Sequence, residues 1–343
     1  MSADLKPLTT TDNAPNYVVP EQYTIFPEDV YNKMTRINTR KAPGPDEIPN
    51  WILKEFAFAL CDPVCCIFNA SIQQSTVPAL WKSANVVPIP KLKPARSIEN
   101  DLRPISLTPT LSKLLESFLG QWMLETLTSK FDAKQFGGLK GRSTIHALVD
   151  LLHLWQTAID EGNSVRVVFI DYAKAFDHVD HTTVINKMIK MGVPDFIIQW
   201  TRSFLTQRQQ RVKIGHFMSH WQTMNGGMPQ GTWLGMYIFL ILINDLVAKI
   251  RIHKYVDDIT MSEILAKSEP SNMQSVMNDA LHWSADNFMN INAKKTKEML
   301  LGTINNNPQS TATLQLSDKT IERVSSFKLL GRAYCDKQLT KLG

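Results

Sequence analysis

Two spacings of apolar residues alternate along the chain. Apolar positions three and four apart predict helices over 27–37, 49–60, 62–75, 111–127, 144–160, 182–191, 195–205, 230–249 and 271–288. The stretch 111–127 carries this spacing plainly, with Leu111, Leu114, Leu115, Phe118, Leu119 and Trp122 on one face. Short alternating or continuous apolar runs predict strands over 84–90, 165–170, 208–214, 220–223, 250–255, 259–262, 298–301, 313–316 and 327–330. The strands 208–214 and 220–223 read as a hairpin. Lys41-Ala42-Pro43-Gly44-Pro45-Asp46 is a dense turn signal, because proline fixes φ and glycine supplies the unusual angles. Helices alternating with short strands predict an α+β fold, with helices packed on one face of a sheet.

Composition narrows the class of protein. With 343 residues, 43% of them apolar and 20% charged, the chain can bury a large core and does not read as disordered. Its four cysteines, Cys61, Cys65, Cys66 and Cys335, form no facing CxxC pairs, which argues against a zinc site and for reduced thiols. The longest apolar run, 236–243, is eight residues, well short of the roughly 20 that span a bilayer. Residues 1–17 are polar and carry no signal peptide. The expectation is a soluble intracellular chain with no membrane partner.

Charge is distributed unevenly. Between Trp81 and Arg142 ten Lys/Arg face five Asp/Glu, a local charge of +5. From Phe196 to Asn244 there is no acidic residue, while Arg202, Arg208, Arg211 and Lys213 lie inside that span. Such stretches suit a surface that meets phosphates, where cations gain affinity by releasing counterions.

The acids are the candidate chemistry. Val167-Val168-Phe169-Ile170 ends in Asp171, and an acid at the tip of an apolar strand is costly unless it meets a cation or a metal. Tyr255-Val256-Asp257-Asp258 puts two successive carboxylates between two short strands, at a tight hairpin. If the two tips lie side by side, three carboxylates converge and repel unless divalent cations neutralise them. Hard oxygen donors select Mg²⁺, or Mn²⁺. Two such ions can activate a 3′-hydroxyl and stabilise a leaving pyrophosphate, which is the chemistry of nucleotidyl transfer.

Seven short motifs in order extend this reading. They are Lys41-Ala42-Pro43-Gly44-Pro45-Asp46, Leu102-Arg103-Pro104-Ile105-Ser106-Leu107 and Phe136-Gly137-Gly138-Leu139-Lys140-Gly141-Arg142-Ser143-Thr144, followed by Phe169-Ile170-Asp171-Tyr172-Ala173-Lys174-Ala175-Phe176-Asp177. Gly227-Met228-Pro229-Gln230-Gly231-Thr232, Tyr255-Val256-Asp257-Asp258 and Asn292-Ala293-Lys294-Lys295-Thr296-Lys297 complete the set. Together they resemble the reverse transcriptases of non-long-terminal-repeat (LINE-type) retrotransposons, over about residues 41–330.

The resemblance implies a right-hand polymerase of fingers and palm, with an antiparallel palm sheet backed by helices. It implies a lead-in at 1–40, fingers at 41–162, palm at 163–330 with fingers elements returning near 196–224, and the start of a truncated thumb at 331–343. Asp171, Asp257 and Asp258 become the metal ligands, and Lys295 a general acid toward pyrophosphate. Lys91 and Arg103 would grip the triphosphate, with Gln230 and Tyr255 at the nucleotide and Phe176 as a steric gate against a 2′-hydroxyl. Lys140, Arg142, Arg208, Arg211 and Lys213 would touch nucleic-acid phosphates. The implied partners are an RNA template, a DNA primer and dNTPs, and the implied setting is nucleus and cytoplasm.

The match departs from the family in places. Trp233 and Met236 stand where a small residue and a proline are usual, and Leu329 replaces an aromatic in a segment resembling the primer grip, Phe327-Lys328-Leu329-Leu330-Gly331-Arg332. No endonuclease segment precedes the fingers motifs, and the chain stops before a full thumb. The competing expectation is a catalytically inactive, RNA-binding remnant of such an enzyme.

Overall fold

The computed structural model describes residues 5–8, 18–91, 94, 96–267, 269–302 and 312–335. In chain order the elements begin with α1 (Pro27–Met34), α2 (Asn50–Glu55), α3 (Ala57–Gln73), β1 (Ser83–Pro90), α4 (Ile98–Asp101), β2 (Leu102–Leu107), α5 (Thr110–Leu127), α6 (Thr144–Asp160) and β3 (Ser164–Ile170). They continue with α7 (His181–Lys190), α8 (Asp195–Leu205), β4 (Gln209–Ile214), β5 (Phe217–Met218), β6 (Gln222–Thr223), α9 (Trp233–Ile243), β7 (Arg251–Tyr255) and β8 (Asp258–Leu265). The last are α10 (Met273–Asp286), β9 (Lys297–Leu301), β10 (Gln315–Leu316), β11 (Lys319–Thr320), β12 (Glu322–Arg323), β13 (Ser326–Leu329) and β14 (Arg332–Cys335). The expected mixture of helices and sheets is present. The elements fall into two units: Met1–Lys130 with Phe176–Ile241, and Phe131–Ala175 with Leu242–Gly343.

The first unit holds a sheet in the order β2-β1-β4-β5, with β6 also on β4. β1 and β2 pair antiparallel from Asn85↔Leu107 to Pro90↔Leu102, and β4 runs parallel to β1. Its helices bury Phe68, Ile72, Leu115, Leu119, Trp200 and Phe204. Trp200 Nε1 donates to Ser71 Oγ at 2.9 Å, so even the polar handle of that ring is satisfied.

Two helix boundaries differ from expectation. Asp62-Pro63 predicts a break near residue 61, yet the break falls at Phe56 and α3 runs through Pro63. Its buried face of Ala57, Cys61, Val64, Cys65, Phe68 and Ile72 keeps helical spacing across Pro63, which points outward. α9 is shorter than the predicted 230–249 because Thr232 Oγ1 accepts the Gly235 N–H at 3.2 Å and so caps a helix that starts at Trp233.

The second unit is built on a sheet ordered β12-β9-β3-β8-β7. Its pairings are antiparallel except β12, which lies parallel to β9. Every residue of β3 is buried, as a strand covered on both faces requires. Val165, Val167 and Phe169 pack with Met299 and Leu301 against Leu148, Leu151, Trp155 and Ala158 of α6.

The opposite face is also occupied, which corrects the expectation of helices on one face only. There Arg166 Nε meets Glu298 Oε1 at 2.5 Å, and its Nη1 donates to Ser271 Oγ at 3.0 Å. Ser271 in turn donates to Glu263, and the Asn272 N–H donates to the same carboxylate at 2.6 Å, anchoring the start of α10. Alternation along the strands puts Arg166, Glu263 and Glu298 on this face.

Removing one partner of a buried ion pair leaves the other charge uncompensated. Glu298→Ala should therefore lower unfolding free energy by roughly 3–5 kcal/mol, read as a reduced denaturant midpoint with an unchanged slope. A midpoint within error of the parent would show that Arg166 does not depend on Glu298.

Candidate active site

Asp171 is the first residue past the end of β3. The segment 290–296 holds it there. Asp171 N donates to Thr296 Oγ1 at 3.3 Å, its carbonyl accepts from Asn292 N at 2.8 Å, and Ala173 N donates to Asn290 O at 2.8 Å. The neighbouring Tyr172 ring is buried with its hydroxyl 3.3 Å from Ser284 Oγ.

Asp257 and Asp258 come from the β7–β8 hairpin. Tyr255 and Asp258 are register partners, so Val256-Asp257 forms a two-residue loop. The β3–β8 register ends at Ile170↔Ile259, and its next step sets Asp171 beside Asp258. Val256 carries a φ of +58°, the sign that a type II′ turn asks of its first loop residue and that glycine ordinarily supplies. A β-branched residue there stores strain of about 1–3 kcal/mol, which the surroundings must hold in place.

Those surroundings are the loop before α6. Gln135 is buried, and its Oε1 accepts both Val256 N at 3.2 Å and Gly137 N at 2.9 Å. A Cβ on Gly137 would come within 2.6 Å of Val256 N, so only glycine permits this approach. Phe136 stacks on His253 of β7, with centroids 5.9 Å apart. Beneath the hairpin, Lys254 Nζ is fully buried, 2.9 Å from Asp132 Oδ2 and 3.0 Å from the Asn244 carbonyl. Burial pulls the Lys254 ammonium below its usual range, against the pull of Asp132.

The three carboxylates feel one another. Burial, then the charge of Asp171, raises Asp257. Burial, then Asp257 and Asp171, push Asp258 up to about 6. Lys295 Nζ lies 3.9 Å from Asp171 Oδ2, at the distant edge of an ion pair and half exposed. Among the described residues no three His, Cys, Asp or Glu side chains are already gathered tightly enough to hold a metal ion. The donor set nonetheless suits a hard divalent cation, whose charge would relieve the repulsion that raises both acids.

The remaining expected residues fall in different surroundings. Arg103 is exposed on β2 opposite Ile89, and Lys91 N donates to Asp101 O at 2.7 Å, which sets Lys91 on the same face of that hairpin. Gln230 precedes α9, with its carbonyl accepting from Ser106 N of β2 at 2.9 Å. Phe176 is half-buried and stacks on Phe239 of α9 with centroids 4.8 Å apart. Arg211 is held by Asn85 and lies over the Trp221 ring at 4.3 Å, with Lys213 two residues along β4. Lys140 is exposed beside Gly141.

One expected phosphate contact does not stand, and another residue of that set is engaged within its own loop. Arg208 is 2% exposed and packs over Phe204, its Nη1 donating to the Phe204 carbonyl, so it presents no cation to a nucleic acid. Arg142 donates to the carbonyls of Asp132, Ala133 and Gln135, closing the loop that holds Val256.

Sequence reading passed over Gln135, Thr296 and Lys254. Gln135, Thr296 and Lys254 sit next to or inside quoted motifs, which is the available signal.

Comparison with known families decides the class. The model of the reverse transcriptase (RNA-dependent DNA polymerase) family matches residues 89–333. The chain belongs to that family. Its relatives include the probable RNA-directed DNA polymerase from transposon BS of Drosophila melanogaster, 28% identical over 328 residues, covering 91% of this chain and 36% of the relative. The RNA-directed DNA polymerase from mobile element jockey of the same fly is 25% identical over 330 residues, covering 91% of this chain and 35% of that protein. A third, the putative 115 kDa protein in type-1 retrotransposable element R1DM, is 24% identical over 324 residues, covering 91% and 30%. The resemblance drawn from the motifs holds at the level of the family. This reverse transcriptase homologue spans about a third of the length of these relatives. Among its described residues no helix is long and apolar enough to cross a membrane.

The raised Asp258 has a consequence for stability. Between its ordinary 3.8 and about 6, the folded chain holds a proton that the unfolded chain releases. That contribution is complete at low pH and is lost as pH rises through about 6. In metal-free buffer Asp258→Asn should raise the melting temperature by a few degrees at neutral pH and leave it unchanged near the ordinary carboxylate range. A variant no more stable than the parent at neutral pH would show that the carboxylates do not repel.

Proposed function

We propose that this chain is the polymerase portion of a retrotransposon reverse transcriptase, an RNA-directed DNA polymerase that joins dNTPs to a primer 3′-hydroxyl. The observation that carries this reading is the meeting of Asp171 with Asp257 and Asp258 at the tips of β3 and the β7–β8 hairpin, in a chain of the reverse transcriptase family. In this reading the β12-β9-β3-β8-β7 sheet is the palm, and the β2-β1-β4 sheet with its helices belongs to the fingers.

Asp171, Asp257 and Asp258 would hold the divalent cations, Mg²⁺ with Mn²⁺ as a substitute. When bound, such cations lower the pKa of the attacking hydroxyl and offset charge on the leaving pyrophosphate. The side chains do the rest. Lys295, near Asp171, donates a proton toward pyrophosphate. Arg103 and Lys91, sharing one face of a hairpin, grip the triphosphate, for which the guanidinium fork is suited. Gln230 and Tyr255 line the nucleotide, and Phe176, held flat by Phe239, excludes a 2′-hydroxyl. Lys140, Arg211 and Lys213 take template and primer phosphates, and the β13–β14 hairpin, whose Phe327 stacks on Phe169 at 3.9 Å, supports the primer end.

The alternative is a catalytically silent RNA-holding domain. What favours it is Trp233, a bulky exposed ring where the family carries a small residue.

Primer extension separates the two. The full chain should extend oligo(dT) on poly(rA) with dTTP and a divalent cation, and Asp257→Asn should abolish extension while leaving RNA binding intact. Full activity in Asp257→Asn would remove the triad from the chemistry. Phe176→Val should raise ribonucleotide incorporation relative to deoxynucleotide, and an unchanged ratio would end the gate assignment.

A further inference from the structure

The first N–H groups of a helix find no acceptor inside it. At the start of α9 these groups are met twice over. Gly235 N turns back to Thr232 Oγ1, and the first two, Trp233 N and Leu234 N, donate to Glu116 Oε2 at 3.0 and 3.4 Å. Glu116 comes from the middle of α5, 117 residues earlier in the case of Trp233, and is fully buried. Its other oxygen accepts from Ser112 Oγ at 2.9 Å.

A carboxylate there is costly to bury unless its charge is matched. Burial raises the Glu116 carboxyl above its usual range, against the pull of the equally buried Arg208, of Ser112 and the Leu234 N–H, and of Lys113. α9 does not need this arrangement merely to be a helix. Thr232 caps it, and its residues from Ile238 to Ile243 are all buried apolar side chains. What the buried carboxyl adds is a fixed position, because one acceptor shared by two N–H donors tolerates little displacement.

The group so positioned is the turn ahead of the helix. Gln230 stands three residues before Trp233, and its carbonyl is tied to Ser106 N. Met228 N donates to Phe176 O at 2.7 Å, and Gly227 N to Val179 O at 2.8 Å, so the same turn is fastened to the segment that carries Phe176. Gly120 of α5 lets the Tyr237 ring of α9 lie close, where a Cβ would approach within 2.9 Å.

We propose that Glu116 is a positioning residue that sets the Pro229-Gln230-Gly231 turn for the incoming nucleotide. The inference rests on the polymerase reading for its substrate, and the buried Glu116 does not itself touch the nucleotide.

Two variants test it in the full chain. Glu116→Gln keeps the shape and one acceptor but removes the charge. Glu116→Ala with Arg208→Met removes both charges, so that neither is left buried alone. Each should raise the KM for dTTP about tenfold, the scale of a hydrogen bond to a charged group. The kcat and the Kd for primer–template should stay close to the parent. Hydrogen exchange at the Trp233 and Leu234 amides should quicken about tenfold. A lower melting temperature with unchanged KM and unchanged exchange at these amides would make Glu116 a stabilising contact only and overturn the proposal. If the parent chain extends no primer, the polymerase reading fails. The exchange measurement still decides whether Glu116 fixes the start of α9.

Discussion

Like charges held at neighbouring strand tips are the constraint on which the second unit depends. Burial raises Asp257 and Asp258, and the charge of Asp171 raises both further, so the fold must hold these acids together against repulsion. It does so by fastening the backbone and leaving the carboxyl groups available. Asn292 and Thr296 take both backbone polar groups of Asp171, and Gln135 takes the N–H of the strained Val256. The strain at Val256 is stored beside the acids, where a hairpin must turn in two residues. Arg142 belongs to the same arrangement. Its three carbonyl contacts close the loop that carries Gln135.

Buried charge recurs in both units and follows one rule. Arg166 with Glu298, Lys254 with Asp132 and Arg208 near Glu116 each set a cation against a carboxylate, and each also engages a helix end or a backbone group. Glu263 binds the start of α10, Lys254 binds the carbonyls at the end of α9, and Glu116 binds that helix's first N–H groups. Apolar packing would fill these spaces at less electrostatic cost, but it would not select one rotation or register of a helix so narrowly. In a chain whose chemistry depends on where short segments point, that narrowness is worth the expense.

Much of the fold and site was legible in the residues. α6 and α8 match their predicted spans, and the acid-tipped strand and the turn between β7 and β8 fall where the apolar runs stop. These features are local, since spacing along one segment decides them. The family, too, was readable, because its motifs are short strings in fixed order. The helix boundaries at Phe56 and Trp233 were less so, because a proline and a glycine signal the chain's preference and packing against other elements overrides it.

What the sequence by itself determined, then, is the set of elements, the three acids at their tips and the family to which they belong. Tertiary structure decided which cations are available. Arg208 and Lys254 look like Lys213 and Lys140 in the sequence, yet the first two are buried and bonded to a carbonyl or a carboxylate within the fold. A cation's role depends on which acceptors lie within about 3 Å, and those acceptors come from residues far apart in the chain. Glu116 shows the same limit from the other sign, an acid on an amphipathic helix whose partners lie 117 and 118 residues away.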